Sequence, residues 1–443
     1  MEHALESEDS DSEDMEGGGG TSDHEHPDEP FEQPSLSKAP ITREEVRRGA
    51  DQQGIPWSTL GTSRAEYRKQ RLTQYRNYEN LDDEQRSEDG RSVSTLQQEV
   101  AQHRVDYSHS RQYYCFENNE RLVPSRIVHF QLRNLVWATT AHDVFVAQAH
   151  DILHFNTLSG ELSEVMKPMQ DKGKLATGRL QISTMCVHKS VCIAGGFYGD
   201  MVCVRCPGAK GSRPEVLFSE RITSDENAIT NSIVTWEPPS GSLRAVIANN
   251  DCVMRVMDVD SHFTEVQRAL FDWPVNFTAI SPDGKLACVV GDATEAAMLD
   301  LTTGERVAQC DQHLDFSFAA AWHPNGNLCA TGNQDKTTRI WDKRTWRCLA
   351  TLQGRIGAIR SLRFSSDGRY MAMVEPADFV HVFDVNSNFH EAQEIDLFGE
   401  ISGVSFSPDD EALFVGIADR TYGGMLQFRR SRCGFPDDPF AFP

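Results

Sequence analysis

A chain of 443 residues is long enough to bury a sizeable apolar core without staples, and its eleven cysteines, odd in number and scattered along apparent strands, suit a reducing compartment. Its formal net charge of -23 argues against duplex nucleic acid as the main ligand, because binding a polyanion calls for a basic face. No apolar run approaches the roughly 18 residues of a membrane helix, and the N-terminus is acidic where a secretory leader is basic and apolar, so a cytoplasmic or nuclear protein is expected.

Residues 1 to 37 contain thirteen Asp and Glu and no Lys or Arg. With so few apolar side chains to offset ordering entropy, residues 1–50 are expected to be a disordered acidic tail. Ser10 and Ser22 each precede a Glu by three positions, a spacing favoured by acid-directed kinases, although biased acidic tracts are usually just solvated and a solubilising tail is the expected reading.

Residues 51–110 read as a basic, aromatic helical segment and linker. Ser63-Arg64-Ala65-Glu66 is a capping-box pattern, and the helix it opens is predicted over 63–78. Arg64, Arg68, Lys69, Arg71 and Arg76 are interleaved with Tyr67, Leu72, Tyr75 and Tyr78. Arg68, Arg71 and Tyr75 are candidate contacts to RNA, a membrane surface or an acidic groove. The competing reading packs the helix by its tyrosines onto an acidic surface of the same chain.

From about residue 111 short apolar strands alternate with turn residues, and a repeat emerges. Ile280-Ser281-Pro282-Asp283-Gly284, Trp322-His323-Pro324-Asn325-Gly326, Phe364-Ser365-Ser366-Asp367-Gly368 and Phe406-Ser407-Pro408-Asp409-Asp410 recur every 42 residues. The strand-ending acids Asp258, Asp300, Asp342 and Asp384 keep the same period of 42. Weaker copies place Trp236 and Val187 at the first landmark, and a first copy over 126–160 aligns the stretch Phe130 to Trp137 with Phe364 to Met371. Seven units result, with residues 431–443 left as a tail.

Units of this length, each with a tight turn and a strand ending in an aromatic-acid pair such as Trp341-Asp342, resemble the blades of WD-repeat proteins. The fold class expected is therefore all-β: a seven-bladed WD-repeat β-propeller over 111–430, preceded by the acidic tail and short helix. Since such a ring must shut to remove bare sheet edges, Arg111-Gln112-Tyr113-Tyr114-Cys115-Phe116 is expected to supply the outer strand of the last blade. The strings Ile127-Val128-His129-Phe130-Gln131-Leu132, Glu375-Pro376-Ala377-Asp378-Phe379 and Phe398-Gly399-Glu400-Ile401, together with Gly54-Ile55-Pro56-Trp57, resemble a group of uncharacterised WD-repeat proteins of fungi and plants over residues 54–428. The resemblance maps a buried structural tetrad onto His313, Thr331, Asp335 and Trp341.

There is no phosphate-cradling loop, nucleophile elbow or His pair at metal spacing, and Cys203-x-x-Cys206 lacks a second pair, so no enzyme, cofactor or metal is expected. The expected role is a protein-interaction scaffold. Turn acids Asp143, Asp200, Asp251, Asp292, Asp378 and Asp419 are placed on one rim, where Asp251, Asp292, Asp378 and Asp419 are candidate contacts to a basic peptide, unless Asp serves only its own turn. Trp341-Asp342-Lys343-Arg344 resembles the box by which propeller substrate receptors dock on a cullin-RING ubiquitin-ligase adaptor, which makes Arg344 a further candidate.

Overall fold

The 42-residue period is written in turn chemistry. In Ser281-Pro282-Asp283-Gly284 the Ser281 hydroxyl donates to Asp283 at 2.6 Å and accepts from the Leu286 amide at 2.9 Å, while Gly284 takes φ +67°. Ser365 and Asp367 repeat this with Gly368 at φ +72°, and Ser407 and Asp409 repeat it with Asp410 at φ +60°. Each turn fixes where two strands reverse, so period-2 apolar alternation on either side falls into one register.

The computed structural model describes residues 39–74, 103–109, 111–166, 180–206, 214–238 and 241–431. Among these, the strands form five four-stranded antiparallel sheets and one eight-stranded sheet. The five are blade one (136–166), blade two (182–221), blade three (230–270), blade four (275–310) and blade five (317–353). The eight-stranded sheet is two blades fused by one long strand, Ala392–Phe406, whose first half pairs with Ala377–Asp384 in blade six and whose second half pairs with Ala412–Ile417 in blade seven. The fold is thus a seven-bladed β-propeller.

The ring shuts as the aromatic stretch implies. Tyr114–Glu120 pairs antiparallel with Gly424–Arg430, setting Phe116 opposite Phe428. Gln393 reads this strand like a backbone, accepting from the Tyr113 and Tyr114 amides at 2.7 and 2.8 Å and donating to the Tyr114 carbonyl at 2.6 Å. At the seam between blades seven and one, the Leu135 amide donates to the Ser402 carbonyl at 3.2 Å. A Cβ on Gly403 would lie 2.9 Å from the Val136 nitrogen, so this approach needs glycine. Phe414 and Met425 of blade seven then pack with Val136, Val144 and Phe155 of blade one.

Two expectations are corrected. Ordered structure begins ahead of residue 50: Ile41–Thr42 adds a fifth strand outside Tyr114–Glu120, and Thr42 with Glu45 forms a capping box on the helix Arg43–Arg47. Ile41 and Val46 pack on the blade-seven core, a local apolar anchor that the acidic average of the tail conceals. Blade one, in turn, is shifted by one strand from the sequence alignment. Trp137 lies in its innermost strand, Val136–Ala138, and Phe130 stands in the preceding loop, 69% exposed. Asp143 consequently opens the second strand on the opposite face, and Asp151 holds the turn between the second and third strands. Tyr75, Arg76, Tyr78, Ser10 and Ser22 lie outside the described residues. Among those described, no helix is long and apolar enough to cross a membrane.

Candidate interaction surface

Antiparallel pairing divides the ring's turns between two faces. The turns joining second to third strands and the loops joining blades lie on one face, which we call the upper face. The turns joining first to second and third to fourth strands lie on the lower face. The innermost strands line the axis. Polar side chains at their upper ends tie each blade to the next: Asn134 donates to the Met185 carbonyl at 3.0 Å, Asn231 to Val275 at 2.9 Å and Asn276 to Ser317 at 3.1 Å.

In blade five His313, Thr331, Asp335 and Trp341 come together as one chain of hydrogen bonds. The Trp341 indole donates to the Thr331 hydroxyl at 2.8 Å, His313 Nε2 meets the same hydroxyl at 2.8 Å, and His313 Nδ1 meets Asp335 at 2.9 Å. Burial raises the Asp335 carboxyl, but His313 and the Thr337 hydroxyl outweigh it and hold it below the usual carboxylate range. Burial also lowers the His313 imidazole, so the pair is a neutral histidine donating to a carboxylate. This set braces the blade and presents nothing to solvent.

The predicted helix is described over Arg64–Gln74, and its three arginines are engaged by the same chain while Lys69 stays exposed. Arg68 is 8% exposed. It donates to Asp378 at 2.7 Å and Asp396 at 2.6 Å, with its guanidinium 4.1 Å above the Phe398 ring centroid. Arg71 reaches Asp378 at 2.6 Å, and Arg64 reaches Asp396 at 3.0 Å. Trp57 and Tyr67 pack on Phe398 at 5.1 and 5.3 Å, and the Gln53 amide both donates to and accepts from the Phe398 backbone. The segment is a strap over blades six and seven. Arg68 and Arg71 therefore do not face outward to a partner, because desolvated guanidinium groups are held where carboxylates meet them.

The rim acids are likewise engaged. Asp378 is fully buried under the strap, and its φ of +71° places it one position beyond the turn acid of the other blades. Asp251 pairs with Arg255 at 2.5 Å, Asp292 accepts from Asn276 at 2.8 Å, and Asp419 accepts the Thr421 amide at 2.8 Å. Burial raises the Asp292 carboxyl above its ordinary value, against Asn276 and Arg360, which lower it. An open ring of negative charge is not what these residues form.

The sequence pattern did not single out a set of arginines about the upper mouth of the axis. Arg363, on the inner strand of blade six, donates to Asn134 of the loop before blade one at 2.5 Å and lies 5.6 and 5.8 Å from the Trp137 and Phe277 rings, so it reaches blades one and four across the axis. Arg360 lies 3.8 Å over Phe318, and Arg133 reaches Glu400 at 3.4 Å. Beside them His129 stacks with the exposed Phe130 at 5.1 Å, and Tyr198 is 41% exposed at the neighbouring turn of blade two. A search for charge at inner-strand positions would have found Arg363, since residues 42 and 84 earlier are Ala321 and Ala279. On the lower face Arg344 has an 83% exposed side chain, held only to Asp342 at 3.4 Å.

The WD domain, G-beta repeat family matches residues 304–342 and 346–374. Over 168 residues the chain is 27% identical to pre-mRNA-processing factor 19 homolog 2 of Arabidopsis thaliana, covering 36% of this chain and 29% of that protein. Over 130 residues it is 32% identical to WD40 repeat protein poxJ of Penicillium oxalicum, covering 28% and 36%. Over 75 residues it is 33% identical to nuclear distribution protein PAC1 of Arthroderma benhamiae, covering 17% and 16%. The matches thus span well under half the length of these relatives. Among solved structures, a chain of the crystal structure of a mitotic checkpoint complex superposes with TM-score 0.57 at 16% identity, covering 73% of this chain and 93% of that one.

Proposed function

From the premise that the chain belongs to the WD-repeat family, we propose that it is a non-catalytic protein-interaction scaffold whose partner sits on the upper face over the mouth of the axis. Arg360 and Arg363 give that mouth positive character, with Arg133 buried against Glu400 beside them, and Phe130 with Tyr198 gives it an exposed aromatic shoulder. A partner segment carrying carboxylates beside an apolar or aromatic anchor fits this chemistry, by charge-assisted hydrogen bonds at the arginines and burial at the rings. Two of the four acids that favoured a basic partner, Asp251 and Asp378, are held by Arg255, Arg68 and Arg71, which favours the arginine mouth over the acidic rim as the contact surface.

The observation that carries this reading is Arg363 bridging to Asn134 across the axis. Affinity capture with wild type and with the Phe130→Ala, Arg360→Ala pair tests it: partners lost in the double variant and retained in Arg344→Ala support the upper mouth. A partner set unchanged in the double variant overturns it.

The exposure of Arg344 favours one second reading, docking of a ubiquitin-ligase adaptor on the lower face. Adaptor peptides recovered with wild type and lost with Arg344→Ala support that role; their absence from both rejects it.

A further inference from the structure

At the outer edge of blades five and six, the segment 103–109 runs beside two sheets in turn. The Val105 amide donates to Thr351 of blade five at 3.0 Å, and the Ser108 amide donates to His390 of blade six at 2.9 Å. This brings His109 onto the face of blade six where His381 and Glu394 are cross-strand partners. One ligand atom from each of His109, His381 and Glu394 lies within 4.8 Å of the other two. His109 Nε2 stands 3.6 Å, and His381 Nδ1 3.9 Å, from Glu394 Oε2.

The arrangement around His381 decides what this cluster is. Its Nε2 meets Glu375 at 2.8 Å, and Glu375 accepts the backbone amides of Arg355, Ile356 and Gly357 at 2.8, 2.6 and 2.7 Å. A carboxylate so surrounded by donors stays ionised and can only accept, so the imidazole proton sits on Nε2. That leaves the Nδ1 lone pair directed toward a second carboxylate and a second imidazole. His381 is fully buried, and its Nδ1 has no hydrogen-bond partner. Three electron-pair donors thus converge with His381 buried at the inner end and His109 at the solvent side, a set that a cation between them would hold together.

We propose that His109, His381 and Glu394 bind a zinc-class divalent cation, with Glu375 as the outer carboxylate that orients His381. Two imidazoles and one carboxylate form a recognised donor set for zinc, and a carboxylate behind a ligating histidine fixes its tautomer. Ligand distances of about 2.0–2.2 Å place tetrahedral donors roughly 3.4 Å apart, so the 3.6 and 3.9 Å separations from Glu394 close by a few tenths of an ångström on binding. The imidazole pair, within 4.8 Å, closes by up to about 1.4 Å. Arg355 contacts the same Glu394 oxygen; its side chain is 40% exposed and withdraws when the cation takes that oxygen. The fourth position remains for water or a donor from a partner. The cation joins the segment 103–109 to blade six, which is the consequence for the fold.

The test uses the untagged full chain stripped with a chelator, then titrated with zinc chloride in competition with a chromophoric chelator, and separately with cobalt(II). Wild type is expected to take up one tight equivalent and to develop the visible bands of four-coordinate cobalt. His109→Ala, at a partly exposed position that leaves the blade intact, is expected to lose those bands and bind at least tenfold more weakly. Glu375→Gln is expected to weaken zinc about 10–100-fold while keeping the bands. Equal zinc affinity in wild type and His109→Ala, or cobalt bands unchanged in both His109→Ala and Glu394→Gln, overturns the proposal.

Discussion

Arg68 and Asp378 meet at 2.7 Å although 310 residues separate them in the chain. Asp378 also receives Arg71 and the Gly399 amide, so one buried carboxylate anchors both the helix and the bend between blades six and seven. Asp378→Asn removes the charge while leaving two guanidinium groups in place. Breaking one partner out of such a buried set costs about 3–5 kcal/mol. The expected result is a lower denaturation midpoint and proteolytic cleavage within Arg64–Gln74 before the ring unfolds. Cleavage of that helix at the wild-type rate would contradict the strap's dependence on Asp378.

Thr331→Val conserves shape in blade five but removes the hydroxyl shared by Trp341 and His313. Two buried groups lose their partner, each at about 1–3 kcal/mol. Equilibrium unfolding in urea should show a loss of about 2–6 kcal/mol, whereas Thr338→Val, on the same blade, serves as the control. A Thr331→Val protein as stable as that control would mean the four residues do not act as a set.

Burial, with the nearby Arg133 and Arg360, lowers the His129 imidazole from 6.5 to about 4. Between those pH values the unfolded chain binds a proton that folded His129 refuses. This contribution is complete above pH 6.5 and is lost as the pH falls toward 4. Unfolding free energy measured across this window should therefore slope less steeply in His129→Gln than in wild type. Parallel slopes would show that His129 titrates normally in the fold.

The closing strand carries a fourth prediction. Tyr114 is fully buried, and its hydroxyl donates to the Asp410 carbonyl at 2.9 Å. Tyr114→Ala leaves a cavity between the blade-six and blade-seven layers and should cost about 3–5 kcal/mol. Hydrogen exchange should quicken first in Gly424–Arg430, its pairing partner. Uniform quickening around the ring would instead indicate that the seam is no weaker than other blade junctions.

Most of the architecture was legible because its determinants are local. A serine, an aspartate and a left-handed residue define three turns within five positions, and His323, Asn325 and Gly326 take those places in a fourth, so four blades announce themselves at a fixed spacing. Blade one has no such turn: Thr140 and Asp143 make its reversal, and the nearby aromatic Phe130 offered a false landmark one strand early. The capping box at Ser63 and Glu66 was readable for the same local reason. Where the helix docks was not, because Asp378 and Asp396 become neighbours of Arg68 only after the ring forms. The three mouth arginines occupy different positions in different elements, so no period marks them. His109 and His381 likewise meet through tertiary structure alone.

The long strand Ala392–Phe406 and the pairing of Tyr114–Glu120 with Gly424–Arg430 impose an order on biosynthesis. Tyr113, Tyr114 and Phe116 leave the ribosome about three hundred residues ahead of the surface that shelters them, so blades one to five can form while these rings still face water. A chaperone that shields this early aromatic stretch would govern the yield of folded protein, and truncation within the final blade would leave the stretch without its shelter.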